Sequence, residues 1–452
     1  MLFSFENLYR QYLACRRHKR NTLNALRFEA QQEEHLLDLQ AALLNRTYVP
    51  SRSVCFFVKK PKLREIFAAD FRDRVVHHVL VDHLERIWEP IFIHDSYACR
   101  RGKGVHAGVE RLRQFIRQVT RNGTQPAWYL QLDIHNYFMS IDKQILFDLL
   151  APKVSDEDAL WLTRVLVFHD CIQDFVIKGD ASLLDKIPPH KTLFHAPKGK
   201  GLPIGNLNSQ FFANVYLNGL DQFVKHTLKC RHYLRYCDDF VLLSDSREQL
   251  ADWRERIADF LREHLQLELN PKRQKLRPAS DGVDFLGYIV RADYLLARRR
   301  VVNNLRQRLR DCEAVLVKEN PGYRRYRFDV EILDGLAACL ASYLGHFQRA
   351  DTYRLRVALW RRYPYLSQYF GFNAATSALV RAYRTPRGLS SARQQYRPFQ
   401  TLFPGDALFF LVGRFIEFYR PGDAALAARL GLAPIAPNRR GALWGFPVAH
   451  AG

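Results

Sequence analysis

Over residues 1 to about 50, apolar residues recur among basic and acidic ones at the three- and four-residue spacing of helices. Within them the acidic stretch EAQQEEHLLDLQAALL predicts a helix ending before Pro50. The pattern changes at 53. There VCFFVKKPKLREIFAA reads as a strand, a turn at Lys60-Pro61 and a second strand, forming a hairpin with a cationic tip. Two helical patterns between 71 and 118 flank DSYACRRGKG, a loop carrying Arg100, Arg101 and Lys103. AWYLQLD is an apolar strand running straight into Asp133, and helical segments are predicted from there to about 178. CRHYLRYCDDFVLLS, 230–244, reads as two short strands about a carboxylate-bearing turn, and 246–268 as a helix. LNPKRQKLRPASDGVDFLGYIV supplies two more strands with a basic turn. From about 298 to 372 the chain reads as helical and very basic, broken near Pro321 and Pro364, and RTPRGLSSARQQY, 384–396, reads as a linker.

Composition adds a partner to this outline. The 452 residues, 48% hydrophobic, suffice for two or three globular units. The net charge of +22 comes from Lys and Arg spread along the chain rather than gathered in a tail, which points to a long polyanion touched at many places. Nucleic acid is the leading candidate; a solvated basic surface and an anionic membrane are the alternatives. Eight cysteines stand without CxxC or CxxH spacing, so neither a zinc site nor a disulfide framework is expected, and a reducing cytoplasm fits. The amphipathic start lacks the apolar run of a signal peptide, and no segment approaches the roughly 20 apolar residues that span a bilayer. The expected protein is neither exported nor membrane-bound.

The chemistry lies in three carboxylates. Asp238 and Asp239 are adjacent on a turn between apolar strands, where their mutual repulsion costs stability unless something positive compensates. Mg²⁺ suits, since it takes hard oxygen ligands, commonly one or two carboxylates plus substrate phosphates. If the strand ending at Asp133 neighbours that hairpin, all three acids converge, enough for two ions about 4 Å apart. Taken singly, Asp133 reads equally as a turn or cap residue and the pair as a solvated turn. Their strand context, their spacing of about a hundred residues and the basic bias favour a joint site.

At this point YCDDF resembles the Tyr-x-Asp-Asp box of reverse transcriptases, and LQLDIHNYFMSID is similar to their first palm motif. KPKLREI and FRDRVVHHVL resemble the fingers motifs, DSYACRRGKGVHAGV the template-contacting loop, GLPIGNLNSQFFANVYLNGLD the central palm motif and GVDFLGY the primer grip. All stand in the family's order over about 50–290. The resemblance implies an α/β (α+β) right-hand polymerase: a helical amino-terminal segment (1–50), fingers (51–128), palm with primer grip (129–295) and helical thumb (296–383), then the linker. It implies Asp133, Asp238 and Asp239 as metal ligands, with the Ile134 carbonyl assisting, for two Mg²⁺ ions or Mn²⁺ in their place. Lys62, Arg64, Phe138, Ile204, Gly205, Lys272 and Arg273 would form the nucleotide site. Phe138, five residues after Asp133, would be the steric gate against a ribose 2′-hydroxyl; unaided, it reads as a core aromatic. Template and primer would meet Arg100, Arg101, Lys103, Ser209, Gln210, Tyr236, Phe285, Leu286 and Gly287. The partners implied are template RNA, the cDNA/RNA hybrid and deoxynucleotides, with or without a separate accessory protein.

Where most of the family has Gln-Gly and Ser-Pro in the central motif, this chain has Ile204-Gly205 and Ser209-Gln210. That variant resembles the reverse transcriptases of diversity-generating retroelements, which implies error-prone copying at adenines. Beyond the linker, 397–452 resembles the opening domain of MutS mismatch-repair proteins, on the Pro-Gly-Asp entry, the Phe415-x-Glu417 pair and the Gly-Phe-Pro-x-x-His ending. The resemblance implies a small α/β domain in which Phe415 stacks on a mispaired base and Glu417 reads it; the alternative is a small α/β appendage with Phe415 and Phe418 in its core. Rival readings are a phage-defence, retron or group II intron reverse transcriptase, and a non-catalytic nucleic-acid-binding scaffold.

Overall fold

The computed structural model describes residues 1–17, 22–59, 62–383, 399–400, 403, 406–412, 415–418, 424–432 and 444–447. The chain divides into two compact units, one of 1–286 with 290–293, the other of 287–289 with 294–452. In the first unit the opening apolar period folds into α1 (Phe5–Arg16), α2 (Leu23–Ala30) and α3 (Gln32–Leu44). The Ser4 hydroxyl caps α1 by accepting from the Asn7 amide. Leu8, Tyr12, Leu36, Leu39 and Leu43 turn inward.

The strands β1 (Ser53–Val58) and β2 (Arg64–Ala68) pair antiparallel, Val54 opposite Ala68 and Val58 opposite Arg64. The hairpin tip at Lys60-Pro61 lies outside the described residues. The Asp70 side chain caps α4 (Phe71–Trp88), and α5 (Val105–Val119) follows the basic loop. Next come β3 (Trp128–Asp133), α6 (Tyr137–Ser140), α7 (Lys143–Leu150) and α8 (Glu157–Phe168). The expected helix to 178 is corrected here: β4 (Phe175–Lys178) is a strand, parallel to β1. Its alternation turns Phe175 and Ile177 toward the cluster of Cys55, Phe67 and Met139, and that period of two prevails over helix.

After α9 (Leu207–Gln222) come β5 (His232–Tyr236), β6 (Asp239–Ser244), α10 (Arg247–Leu265) and β7 (Lys275–Pro278). One antiparallel sheet forms in the order β5-β6-β3-β7, with β3 paired to both β6 and β7. Leu130, Leu132, Phe240 and Leu242 point from one face into the main core with Phe212, Tyr216 and Leu220 of α9 and Ile257 and Leu261 of α10. By strand alternation Gln131, Asp133, Asp239 and Val241 lie on the other face.

Apolar side chains of three helices, Arg299–Leu316, Val330–Phe347 and Tyr353–Arg362, build the second unit's core around Leu305, Leu309, Leu333, Leu336 and Phe347. Two hairpins interrupt the expected helical run, and both are corrections. Val317–Asn320 pairs with Tyr323–Tyr326 across Pro321-Gly322, and Phe370–Asn373 pairs with Ala378–Arg381. Gly322 at φ 83° supplies the turn conformation that other residues resist, so turn chemistry prevails over helical spacing. The 384–396 linker lies outside the described residues. Near the carboxyl end Phe410–Val412, Phe415–Phe418 and Trp444–Pro447 form a three-stranded antiparallel sheet, with a helix at Ala424–Arg429. Among the described residues no helix is long and apolar enough to cross a membrane.

The segment entering α9 is laced to β2. The Phe67 amide donates to the Ile204 carbonyl at 2.9 Å, and the Ala69 amide to the Asn206 side chain at 3.1 Å. Gly205 between them has φ 127°, and a Cβ there would lie 2.7 Å from Ile66 Cγ2 and 2.9 Å from the Phe67 carbonyl oxygen. Gly205→Ala is therefore expected to destabilise the protein by about 1–3 kcal/mol. Thermal denaturation beside Gly102→Ala, at φ 70° in open space, checks it, since the second variant should lose less.

Candidate active site

Strand register creates the site. Asp133 ends β3 directly opposite Asp239, which begins β6, and opposed residues of an antiparallel pair share a face. Tyr236 opposite Asp239 closes the β5–β6 hairpin, leaving Cys237-Asp238 as a two-residue loop. Cys237 has φ 57°, a conformation that hairpin loops of this length favour but that a residue with a side chain adopts at some cost. The Ile134 amide donates to the Asp238 carbonyl at 3.2 Å, stitching the loop to the end of β3.

Each outer acid is held from the side. Asp133, 8% exposed, accepts from Asn270 Nδ2 at 2.9 Å and Arg273 Nη1 at 2.8 Å. Asp239 accepts from Gln131 Nε2 at 3.1 Å, and the same amide reaches the Asp284 carbonyl at 3.1 Å. Burial, followed by the charges of Asp238 and Asp133, pushes Asp239 up to about 7 against the pull of Gln131 and Arg273. Burial and then the Asp133 charge also raise Asp238, while the Arg64 charge lowers it.

Among the described residues no three His, Cys, Asp or Glu side chains form a ready cage for an ion. Asp133 is turned to Asn270 and Arg273, and Asp239 to Gln131. A divalent cation nonetheless fits the donor set. Mg²⁺ is commonly held by one or two carboxylates together with phosphate oxygens, and burial followed by mutual charge raises Asp238 and Asp239.

The other expected site residues fall into three groups. Near the carboxylates, Arg64 at the exposed start of β2 bears on Asp238 and half-buried Tyr236 pairs with Asp239, while Lys62 is exposed two residues before Arg64. Phe138 is half-buried, edge-on to Tyr137 at 5.5 Å, and reaches the small cluster of Cys55, Phe67 and Met139 that also takes Ile204. Of the basic pair, Arg273 reaches Asp133, while the exposed Lys272 donates its backbone amide to the Asn270 side chain. A second group is committed to structure. The Arg100 side chain, 6% exposed, binds Glu89 and the carbonyls of Ile93 and Ser96, so it braces the loop instead of projecting from it. Ser209, 1% exposed, turns into a cavity of about 20 Å³ lined also by Asp73, His77, His169 and Asn208, room for a single water. Phe285 is buried, and Gly287, at φ 94° in the second unit, packs beside His346. The third group stays outward: Gly205 and Gln210 are exposed, Arg101 is 80% exposed near Asp82 and Glu85, and Lys103 lies over the Tyr97 ring. Leu286, half-buried at φ 49°, ends the continuous stretch of the first unit. In the carboxyl-terminal sheet Phe415 and Glu417 lie on the middle strand, and Glu417 is 3% exposed.

Sequence reasoning missed Gln131, Asn270 and Arg235. Gln131 was findable, standing two residues before Asp133 on the same strand face. Asn270 carried the weaker signal of a cap before Pro271. Arg235 showed itself as a charge inside the apolar strand HYLRY.

The family described as reverse transcriptase (RNA-dependent DNA polymerase) matches residues 58–290. Protein YkfC of Escherichia coli is 26% identical over 321 residues, covering 63% of this chain and 79% of YkfC. The group II intron-encoded protein LtrA of Lactococcus lactis is 21% identical over 365 residues, 66% of this chain and 57% of LtrA, so the chain spans little more than half of that relative. Telomerase from Candida albicans, solved with a fragment of telomeric RNA, is similar at a TM-score of 0.39 and 12% identity, covering 66% of this chain and 56% of that one.

The raised Asp239 sets a pH dependence. Its folded pKa lies above the ordinary carboxylate value, so its contribution favours folding at low pH and is lost as pH rises from about 3.8 to about 7. Thermal midpoints of metal-free protein are expected to fall across that window less in Asp239→Asn than in wild type. Added Mg²⁺ is expected to raise the midpoint of wild type more than that of the variant at pH 8.

Proposed function

Because the chain belongs to the reverse transcriptase family, matched over residues 58–290, we propose that it copies a template RNA into error-prone cDNA for retroelement-driven sequence diversification. The observation carrying the polymerase reading is the register that sets Asp133 against Asp239 with Asp238 on the adjoining loop. In the reaction the primer 3′-oxygen bonds to the nucleotide α-phosphorus, the α–β phosphoanhydride breaks, and pyrophosphate leaves. Asp133, Asp238 and Asp239 would hold two Mg²⁺ ions, or Mn²⁺, which when bound acidify the 3′-hydroxyl and offset charge on the leaving group. Arg64, whose charge Asp238 already feels, clamps the triphosphate with Lys62, a guanidinium suiting bidentate phosphate contact. Arg273, beside Asp133, supplies a cation for the departing pyrophosphate. Phe138, braced by Tyr137, walls off the space of a 2′-hydroxyl.

The diversification reading rests on Ile204 and Gln210. An apolar branched side chain at 204 lacks the amide that would hydrogen-bond near the nascent pair, which loosens base selection. In the carboxyl-terminal domain Phe415 stacks on mispaired hybrid, as the MutS resemblance implies, while the burial of Glu417 makes it less available for base reading than the resemblance suggests. A group II intron-like role is the second reading, favoured by the similarity to LtrA. A non-catalytic scaffold is disfavoured because crowded, half-buried acids are a standing cost unless a cation meets them.

Primer extension on an RNA template should proceed with wild type and fall at least about a thousandfold in the Asp238→Ala, Asp239→Ala double variant, as loss of groups acting as a unit does. Equal extension by both would end the enzyme reading. Sequenced wild-type cDNA should carry substitutions concentrated opposite template adenines, and Ile204→Gln should lower that rate severalfold. An unchanged adenine error rate in the variant would count against the role of Ile204.

A further inference from the structure

We propose that Arg235 is a positioning residue for the loop bearing Asp238, gripping the Cys237 carbonyl from beneath the sheet; this rests on the polymerase reading above. Arg235 stands opposite Phe240 in the β5–β6 ladder, so it points away from the acids into the core face. Its side chain is 0% exposed, as is that of its partner Asp221 from α9. The guanidinium bonds Asp221 through both oxygens, Nε to Oδ1 at 2.8 Å and Nη2 to Oδ2 at 2.6 Å, and Tyr233 donates its hydroxyl to the same carboxylate at 2.7 Å. That leaves Nη1, which donates to the Cys237 carbonyl at 3.0 Å and to Asn214 Oδ1 at 3.3 Å. The Asn214 amide goes on to the Ala98 carbonyl at 2.8 Å. The Arg235 backbone is fixed too, its amide on the Asp95 carbonyl and its carbonyl on the Tyr97 amide, both at 2.9 Å.

Stability alone does not account for this network. A fully buried ion pair gains little over apolar residues of the same size, because desolvation offsets the attraction. The planar fork does something an apolar side chain cannot: anchored on Asp221 along one edge, it presents its remaining nitrogen at a fixed place. The group it meets belongs to Cys237, at φ 57°. Such a conformation persists only where its surroundings over-determine it. Arg235 supplies one constraint from below and the bond from Ile134 to the Asp238 carbonyl another from the side. The backbone at Asp238 is fixed while both carbonyls are held, and α9, which begins just beyond Ile204, shares the anchor.

The test separates positioning from packing. Removing Arg235 alone strands Asp221 in the core, so the informative variant is the apolar replacement Asp221→Leu, Tyr233→Phe, Arg235→Met, which leaves no buried charge behind. It is expected to keep its thermal midpoint within a few degrees of wild type and its deoxynucleotide KM within about threefold, while kcat for primer extension falls roughly 10- to 100-fold. Calorimetry with Mn²⁺ alone should show affinity weakened several-fold, a readout independent of turnover. Wild-type kcat and Mn²⁺ affinity in the folded triple variant would overturn the proposal. Arg235→Lys, which keeps the charge but not the fork, covers the case in which the triple variant fails to fold. It should lose at least about fivefold in kcat with little change in KM, and wild-type turnover there would also overturn the proposal. Absence of extension by wild type would instead sink the polymerase reading, and with it the role given to Arg235.

Discussion

Two aspartates set face to face by strand register, with a third on the adjoining loop, are the constraint around which the first unit is arranged. Like charges on one sheet face resist the pairing that brings them there, so the fold must make that register hard to escape. It does so through the opposite face, where Leu130, Leu132, Phe240 and Leu242 reach the core only in this alignment. A slip of one residue would turn the acids into that core and carry the leucines to the face the acids now occupy. Hydrophobic burial thus enforces an electrostatic arrangement that would not assemble by itself.

The supports around the acids divide the work. Arg273 and Asn270 steady Asp133, Gln131 steadies Asp239, and the loop between is held by its carbonyls. Burial first, and then the charges of Asp238 and Asp133, keep Asp239 raised despite Gln131 and Arg273. Side-chain partners order the two outer acids, and a single guanidinium, Arg273 on Asp133, is the cation bonded to either of them among the described residues.

Much of this was legible in the sequence because it depends on local alternation. The strands ending in Asp133 and flanking Asp238-Asp239 are short apolar runs that stop at carboxylates, a signal read directly from the chain, and α4, α5 and α10 carry helical stripes. Elements that depend on distant partners were not legible. The strand at Phe175–Lys178 exists because β1 offers it an edge, and nothing within four residues announces that edge. The break at Pro321 was legible from its Pro-Gly, but the two strands flanking it lay hidden in a basic stretch of helical spacing. At the site, residue type without burial misled: Arg100 and Ser209 look like surface contacts in a chain this basic, yet one braces its loop and the other faces a cavity. Arg235 shows the converse, since its meaning depends on Asp221, fourteen residues away.

The lacing of β2 to the segment before α9 bears on how such a protein can change over generations. The backbone at Ile204 is fixed by the Phe67 amide and by a glycine that tolerates no Cβ, whereas the Ile204 side chain is only half-buried at the rim of a small cluster. Path and side chain are therefore separable traits. A single-codon change at 204 alters what the loop presents without rerouting it, whereas its neighbour Gly205 is locked. Lineages can thus drift along one position at little cost in foldedness, so the inherited character of the loop varies in small steps rather than by rebuilding.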